Sequence, residues 1–205
     1  MKHETTKYKT REEWLGAAVE LLRPVFVKRA GVTLPDAWRV SCGFPRNSRG
    51  GAIGQCWAQS ASRDGHWEMF ISPVLAEPAR VLGVLVHELI HAGIGIKHGH
   101  NKVFGKAARA RLLEGKLTAT TEGKPFKDEI AAPVLAKLGV YPHGELRPSG
   151  EGTGPRKQAT RLLKAACGGC GYCVRITQKW LDIAPPTCPN PGCDEFGETL
   201  NHDGA

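Results

Sequence analysis

Two histidines and a glutamate lie within five consecutive residues, His87-Glu88-Leu89-Ile90-His91. In a helix, residues four apart lie on one face about a turn apart, so both imidazoles can bind one zinc ion. Glu88 lies one step round the helix, where its carboxylate can take a proton from a water molecule that the zinc activates. The pattern predicts a catalytic zinc held by His87 and His91, with Glu88 as general base and a peptide bond as the usual substrate.

A catalytic zinc also needs a third protein ligand and an open fourth position. His98 and His100 follow the glycine-rich segment 93–96, which can turn the chain back toward the metal. Spacing alone leaves both histidines open as the third ligand. Lys97 stands six residues after His91, where the metzincin pattern requires a histidine, so the sequence excludes that subclass.

A second candidate metal site lies near the C-terminus, where most of the seven cysteines crowd together. Because we find no export signal, crowded cysteines indicate metal ligands more than disulfides. The spacing predicts a structural zinc ion held by four thiolates, those of Cys167, Cys170, Cys188 and Cys193. Cys170 with Cys173 is a rival first pair. We favour Cys167 with Cys170 because the Gly-Tyr after Cys170 leads into an alternating strand pattern.

Hydrophobic periodicity predicts the elements that position the histidines. Apolar residues recur at three- and four-residue steps over 11–30, which indicates a helix that ends at Gly31, with a possible kink at Pro24. Three short strands follow, and the last two are joined across the turn residues Arg63-Asp64-Gly65. We predict these strands at Trp38–Cys42, Ala52–Ser60 and His66–Ser72.

The metal-binding motif itself falls in a strongly apolar helix that opens at Pro78 and ends near Gly93 and Gly95. A helix that is apolar on nearly all sides is a buried central helix. Two further helices are predicted after it, over Asn101–Glu114 and, despite Pro133, over Asp128–Leu138. The whole predicts an α+β fold: a small three-stranded sheet packed on the zinc-binding helix with flanking helices, plus a small C-terminal four-cysteine zinc ribbon.

The motif resembles that of the SprT-like (Spartan-type) zinc metalloproteases. The resemblance rests on Leu85-Val86-His87-Glu88-Leu89-Ile90-His91-Ala92, followed by Gly99-His100 and Phe104, with Asn101 where the family has a second glycine. It maps the third ligand onto His100. The family's sheet is echoed by Gly54-Gln55-Cys56 and Ile71-Ser72-Pro73, and such proteins commonly carry a C-terminal zinc ribbon. The resemblance implies a metalloprotease domain over 1–142 and a zinc ribbon over 161–205. The segment 143–160 between them is rich in glycine and proline, which predicts a flexible linker.

The net charge of +8 indicates an acidic partner such as nucleic acid. The entire excess falls within residues 1–150, because residues 151–205 carry equal numbers of basic and acidic side chains. We name as candidate nucleic-acid contacts seven basic residues: Arg46, Arg49, Lys102, Lys106, Arg109, Arg175 and Lys179. No run of 18 apolar residues exists and the N-terminus lacks an apolar signal region, so we expect no membrane partner and a cytoplasmic, DNA-associated location.

These features predict a zinc-dependent endopeptidase with one catalytic and one structural Zn²⁺. The resemblance adds the expectation that its protein substrates are associated with DNA or crosslinked to it. Two alternatives remain open at this point. One is a non-catalytic DNA-binding or adaptor protein with two structural zincs, and the other is a peptidase that inactivates a regulatory protein. Glu88 discriminates against the first, because a scaffold has no need for a carboxylate beside the metal.

Overall fold

The computed structural model describes residues 7–46, 51–148 and 162–202. The chain divides into two compact units, Met1–Ser149 and Gly150–Ala205. The first combines helices with two small sheets, and the second contains a three-stranded sheet and a short helix, so the fold is mixed α+β. Arg49 and most of the predicted linker, residues 149–160, lie outside the described residues.

The N-terminal helix α1 spans Arg11–Ala30 as the periodicity predicted. Thr10 and Glu13 form a reciprocal capping box at its start, which satisfies free N–H groups of the first turn. Gly31 ends the helix in a left-handed conformation (φ 61°), which glycine adopts without steric cost. Pro24 lies within the helix and does not end it. The inward face buries an apolar row against the rest of the unit: Trp14, Leu15, Ala18, Val19, Leu22 and Phe26.

The first sheet contains the three predicted strands, β1 (Trp38–Cys42), β2 (Gly54–Trp57) and β3 (Trp67–Ile71). Their order is β1-β3-β2, with β1 parallel and β2 antiparallel to β3. Strand β2 is shorter than predicted because a single 3₁₀ turn, Gln59–Ala61, replaces its far end. Since β3 lies in the centre, β2 forms an edge of the sheet.

The central helix α2 spans Pro78–Ile94 and is buried along most of its length. The Glu77 carboxylate accepts hydrogen bonds from the N–H groups of Ala79 and Arg80, and so caps the first turn. Gly95 ends the helix with a φ of 91°. The predicted boundaries of this helix are therefore confirmed.

The chain after α2 differs from the prediction. A 3₁₀ turn, Ile96–His98, leads to helix α3 (Lys102–Ala110), and a β-hairpin follows: β4 (Leu113–Lys116) and β5 (Ala119–Glu122). The predicted helix Asn101–Glu114 was too long at its C-terminus. Leu112 takes a left-handed φ of 59°, which ends the helical path, and Leu113 then faces the core from a strand.

The last helical segment of the first unit begins earlier than the predicted Asp128–Leu138. It runs through α4 (Lys124–Phe126), a π-helical turn (Lys127–Ala131) and α5 (Ala132–Leu138). Pro133 has no N–H to donate to the carbonyl four residues earlier, so the regular pattern changes just before it. Phe126, Ile130, Val134 and Leu138 close the core on this side.

The second unit contains β6 (Leu163–Ala166), β7 (Cys173–Ile176), the short helix α6 (Gln178–Ile183) and β8 (Asn201–His202). The strand order is β7-β6-β8. Its buried core is small and includes two cysteines: Ala165, Cys167, Leu181, Cys188 and Leu200. Across the described parts of both units, no helix combines the length and the apolar character needed to cross a membrane.

Candidate metal centres and cleft

Three histidines converge in the first unit. Helix α2 presents His87 and His91 from successive turns, and the segment after the 3₁₀ turn returns His100 to the same point. The His100 Nε2 atom lies 3.0 Å from Nε2 of His87 and 3.3 Å from Nε2 of His91. His98, the other candidate third ligand, lies in the 3₁₀ turn and does not belong to this cluster.

These distances fit a single tetrahedral ion. Ligand nitrogens about 2.0–2.1 Å from zinc at tetrahedral angles lie about 3.3–3.4 Å apart. The three imidazoles therefore fit a metal bound through Nε2. Three ligand positions filled by one unit leave a fourth free, and an open fourth position is what distinguishes a catalytic metal site from a structural one.

Burial favours the neutral form of the three imidazoles, which is the form that binds a metal ion. Burial lowers the pKa of His87 to about 3 and that of His91 to about 4, and neighbouring imidazoles add to both effects. It also lowers the pKa of the more exposed His100. Neutral imidazoles have free nitrogen lone pairs, so at neutral pH all three are able to coordinate.

Two side chains from outside α2 fix the orientation of the rings. Phe104 of α3 packs against all three, with its ring centroid 4.8, 4.6 and 5.0 Å from those of His87, His91 and His100. The His87 Nδ1 atom lies 2.9 Å from the hydroxyl oxygen of Thr120, on β5. Sequence reasoning missed Thr120 because it missed the hairpin. The β-branched cluster Thr118, Thr120 and Thr121 was the available signal for a strand.

Glu88 lies beside the histidines and is almost fully enclosed, with 5% of its surface exposed. Burial raises the pKa of its carboxyl group to about 8. Glycine at position 54 of β2 makes room for it. A Cβ at that position would collide with the Glu88 carboxylate and lie 2.7 Å from Cγ1 of Val84. Cys56, two residues along the same strand, is half-buried, and burial together with the charge of Glu88 raises the pKa of its thiol.

An open cleft of about 440 Å³ lies over this cluster. One wall is residues 51–56 at the edge strand β2, and the other is residues 118–120 of the hairpin. The floor is formed by side chains of α2 and of the segment after it: Arg80, Val84, His87, Glu88, His91, Ile96 and His100. The three histidines and Glu88 therefore all line one open cleft.

The second unit brings four cysteines together, Cys167, Cys170, Cys188 and Cys193. The Sγ atoms of Cys167 and Cys193 lie 3.7 Å apart, and those of Cys170 and Cys188 lie 3.6 Å apart. Tetrahedral zinc thiolates with bonds of 2.3 Å give a separation of about 3.8 Å, so these cysteines fit one ion. The N–H of Tyr172 lowers the pKa of Cys170 to about 7, which favours the thiolate. Cys173 is exposed and lies outside the cluster.

The predicted basic contacts occupy separate places. Lys102, Lys106 and Arg109 are exposed at helical spacing on one face of α3, immediately after His100. Arg46 is exposed, and its backbone N–H donates to the side chain of Gln55. Arg175 and Lys179 are exposed in the second unit, and the Lys179 ammonium lies 5.0 Å from the ring centroid of Trp180.

Arg111 does not belong to that surface, although it falls in the same basic stretch of sequence. It is fully buried, and its guanidinium lies 3.9 Å from the Phe26 ring centroid. It donates to the carbonyl oxygens of Ala107 and Phe26, near the C-terminal ends of α3 and α1. It therefore ties two helices together and leaves α3 with one exposed basic face.

No protein-family model, no curated protein and no solved structure matches this chain.

Proposed function

We propose that the protein is a zinc-dependent endopeptidase of the SprT-like type. The observation that carries the proposal is a buried carboxylate, Glu88, beside three convergent imidazoles at the floor of an open cleft. A structural metal site is closed by its ligands and needs neither a neighbouring base nor access for substrate. The same geometry weighs against the alternative of a non-catalytic adaptor.

The roles of the residues follow from their positions. His87, His91 and His100 would hold the ion. A bound zinc ion would supply Lewis acidity, which lowers the pKa of water toward about 7 and polarises a peptide carbonyl. Glu88 accepts a proton from the attacking water at its carboxylate and donates it to the departing amine. Burial raises the pKa of the Glu88 carboxyl group in the metal-free fold, and the positive charge of a bound ion would favour the carboxylate form that acts as the base.

The free edge of β2 supports a substrate in extended conformation. Among the described residues β2 pairs with β3 alone, so its outer edge can pair with a peptide that enters the cleft. Backbone pairing of this kind depends little on the sequence of the substrate.

The basic face of α3 supports the proposal that the reaction takes place on proteins attached to DNA. Lys102, Lys106 and Arg109 begin two residues after His100, so phosphates bound there lie near the cleft. DNA held at this face raises the local concentration of proteins bound or crosslinked to it. We therefore propose DNA-associated proteins as the substrate class. Arg46, Arg175 and Lys179 are weaker candidates for contacts with DNA, since each stands apart from α3 in the sequence.

The test is cleavage of a basic DNA-binding protein by the zinc-loaded full chain, with and without duplex DNA. We expect cleavage that DNA accelerates, and a loss of about 10²–10⁴-fold in Glu88→Gln, because the general base is removed while the ligands remain. Glu20→Gln is the matched control, since Glu20 is exposed on α1, and it should cleave like the parent. Equal rates in the parent and Glu88→Gln would refute the proposal. Cleavage that DNA leaves unchanged would favour a peptidase that acts on a regulatory protein.

A further inference from the structure

The β4–β5 hairpin contacts the metal-binding helix at His87. Thr120 of β5 is buried, with 6% of its surface exposed, and its hydroxyl oxygen lies 2.9 Å from Nδ1 of His87. The other ring nitrogen, Nε2, points toward His100. A neutral imidazole carries one proton, so if Nε2 is to offer a lone pair, Nδ1 must carry the proton and donate it.

Hydrogen bonds and an ion pair seat the hairpin against α2. Arg80 donates to the backbone carbonyl of Thr120 at 2.9 Å and to the carboxylate of Glu122 at 2.6 Å. The Glu122 side chain is 7% exposed, so this ion pair is largely shielded from water. Both acceptors belong to β5. The backbone of Thr120 is therefore held from the same helix that carries His87.

Glycine at position 83 is required for this arrangement. A Cβ at position 83 of α2 would collide with the carboxylate of Glu122. Gly83 lies four residues before His87, so the hairpin packs on the helical face that presents the histidine. The absence of a side chain at position 83 thus makes room for the Glu122 side chain, which Arg80 holds beside Thr120.

We infer that Thr120 is a positioning residue of the histidine metal centre. The Thr120 hydroxyl oxygen accepts a hydrogen bond from the Nδ1–H group of His87. This hydrogen bond fixes the tautomer and the ring orientation that direct Nε2 at the ion. Groups that hold metal-binding histidines in this way typically change metal affinity about 10- to 100-fold when removed. This inference rests on the proposed function in one respect: the three histidines must bind a metal.

The test measures zinc affinity on the full chain by competition with a chelator. His100→Ala retains only the cysteine site and supplies the background to subtract. We expect Thr120→Val, which keeps the shape and loses the acceptor, to raise the Kd of the histidine site about 10- to 100-fold. Thr120→Ser keeps the hydroxyl and should stay within about threefold of the parent. Thr121→Val is the matched control, because Thr121 is exposed on the same strand, and it should not change the Kd.

The possible results separate the two proposals. If the parent binds no zinc at the histidines, the proposed function fails. If the parent binds zinc and Thr120→Val binds it equally tightly, only the role of Thr120 is refuted. The role of Thr120 is also refuted if Thr120→Ser loses as much zinc affinity as Thr120→Val. If Thr120→Val does not fold, an NMR measurement on the parent protein tests the inference instead. Imidazole ¹⁵N NMR of the zinc-loaded protein should show a proton on Nδ1 of His87, and a proton-free Nδ1 would overturn the inference.

Discussion

The two metal centres differ in what surrounds them. His87 and His91 lie on helix α2 in the middle of a large apolar core, which runs from Trp14 to Tyr141, and His100 lies between the 3₁₀ turn and α3. The four cysteines lie in a unit whose buried core has few members, two of which, Cys167 and Cys188, are ligands themselves. We therefore expect the first unit to keep its fold without an ion and the second unit to need an ion in order to fold.

The comparison also separates two kinds of chemistry. The histidine centre lies under a cleft, keeps one coordination position free and has Glu88 beside it. The cysteine centre provides a full set of four ligands. A closed set of thiolates stabilises a fold and performs no reaction, while an open set of imidazoles can act on a substrate. We therefore expect the two sites to hold zinc for different purposes, because the histidine cluster offers three ligands and the cysteine cluster offers four.

Removal of metal gives the largest expected effect. Zinc-thiolate sites in small modules contribute about 10–16 kcal/mol of apparent binding free energy, more than the stability of the module itself. We expect a strong chelator to unfold residues 162–202 and to leave the first unit folded. Amide hydrogen exchange followed by mass spectrometry resolves the two regions. Loss of protection in α2 together with β6 and β7 would show that the two scaffolds do not differ in this way.

Glu88 gives a pH-dependent effect that belongs to the histidine centre alone. Its pKa is raised from 4.5 to about 8 by burial in the metal-free fold, so the folded state favours the protonated form. Stability from this group is present below pH 4.5 and is lost as the pH rises to about 8. We expect metal-free Glu88→Gln to exceed the parent in free energy of unfolding by a few kcal/mol at pH 8.5 and to gain nothing at pH 4.5. Urea unfolding at both pH values measures this difference, and a constant offset would contradict it.

Substitution of Gly54 tests how closely strand β2 packs against Glu88. Because a Cβ at position 54 would collide with Glu88, Gly54→Ala forces the carboxylate or the edge strand to move. We expect a loss of about 1–3 kcal/mol in the free energy of unfolding, together with reduced cleavage. Gly16→Ala is the control, because its Cβ would meet only the Trp38 ring at 4.0 Å. In a helix interior that change should stabilise the protein by about 0.5–1 kcal/mol. Equal effects of the two substitutions would contradict the packing described here.

Cys173 should give the smallest effect. It is exposed and lies outside the four-cysteine cluster, so Cys173→Ser should leave zinc content and the folding of the second unit unchanged. Cys188→Ser, which removes a buried ligand, should lower the zinc content from two ions per chain to one and should unfold the second unit. Zinc content per chain measured by atomic absorption distinguishes them. Loss of zinc in Cys173→Ser would establish the rival pair of Cys170 with Cys173.

Much of the first unit could be predicted because its signals are local. Helix α2 is apolar with proline at its start and glycine at its end, so periodicity and capping agree on its boundaries. The three strands of the first sheet were also predicted, although β2 is shorter. The hairpin was missed because Leu112 and Leu113 continue the helical spacing of α3. The chain leaves the helix there through the positive φ of Leu112 and the burial of Arg111 against Phe26, which depend on a helix distant in the sequence.

The candidate site divides in the same way. His87, Glu88 and His91 are adjacent on one helix, so spacing alone indicates their chemistry. The choice between His98 and His100 depends on how the chain turns after Gly95, and spacing left it open. Other residues act through contacts between elements that are distant in sequence, namely Thr120, Gly54 and Gly83. Such contacts cannot be predicted from local sequence patterns. What positions the site therefore had to be found in the structure.

Cobalt substitution tests the central claim most directly. The full chain is loaded with Co²⁺, the metal content is measured, and a small hydroxamate is added as a ligand for an open coordination position. We predict two ions per chain. Hydroxamate should change the absorption bands of the site that His100→Ala removes and leave unchanged the thiolate charge-transfer bands that Cys188→Ser removes. One ion per chain, or a histidine site whose spectrum does not respond to hydroxamate, would contradict an open catalytic centre in this protein.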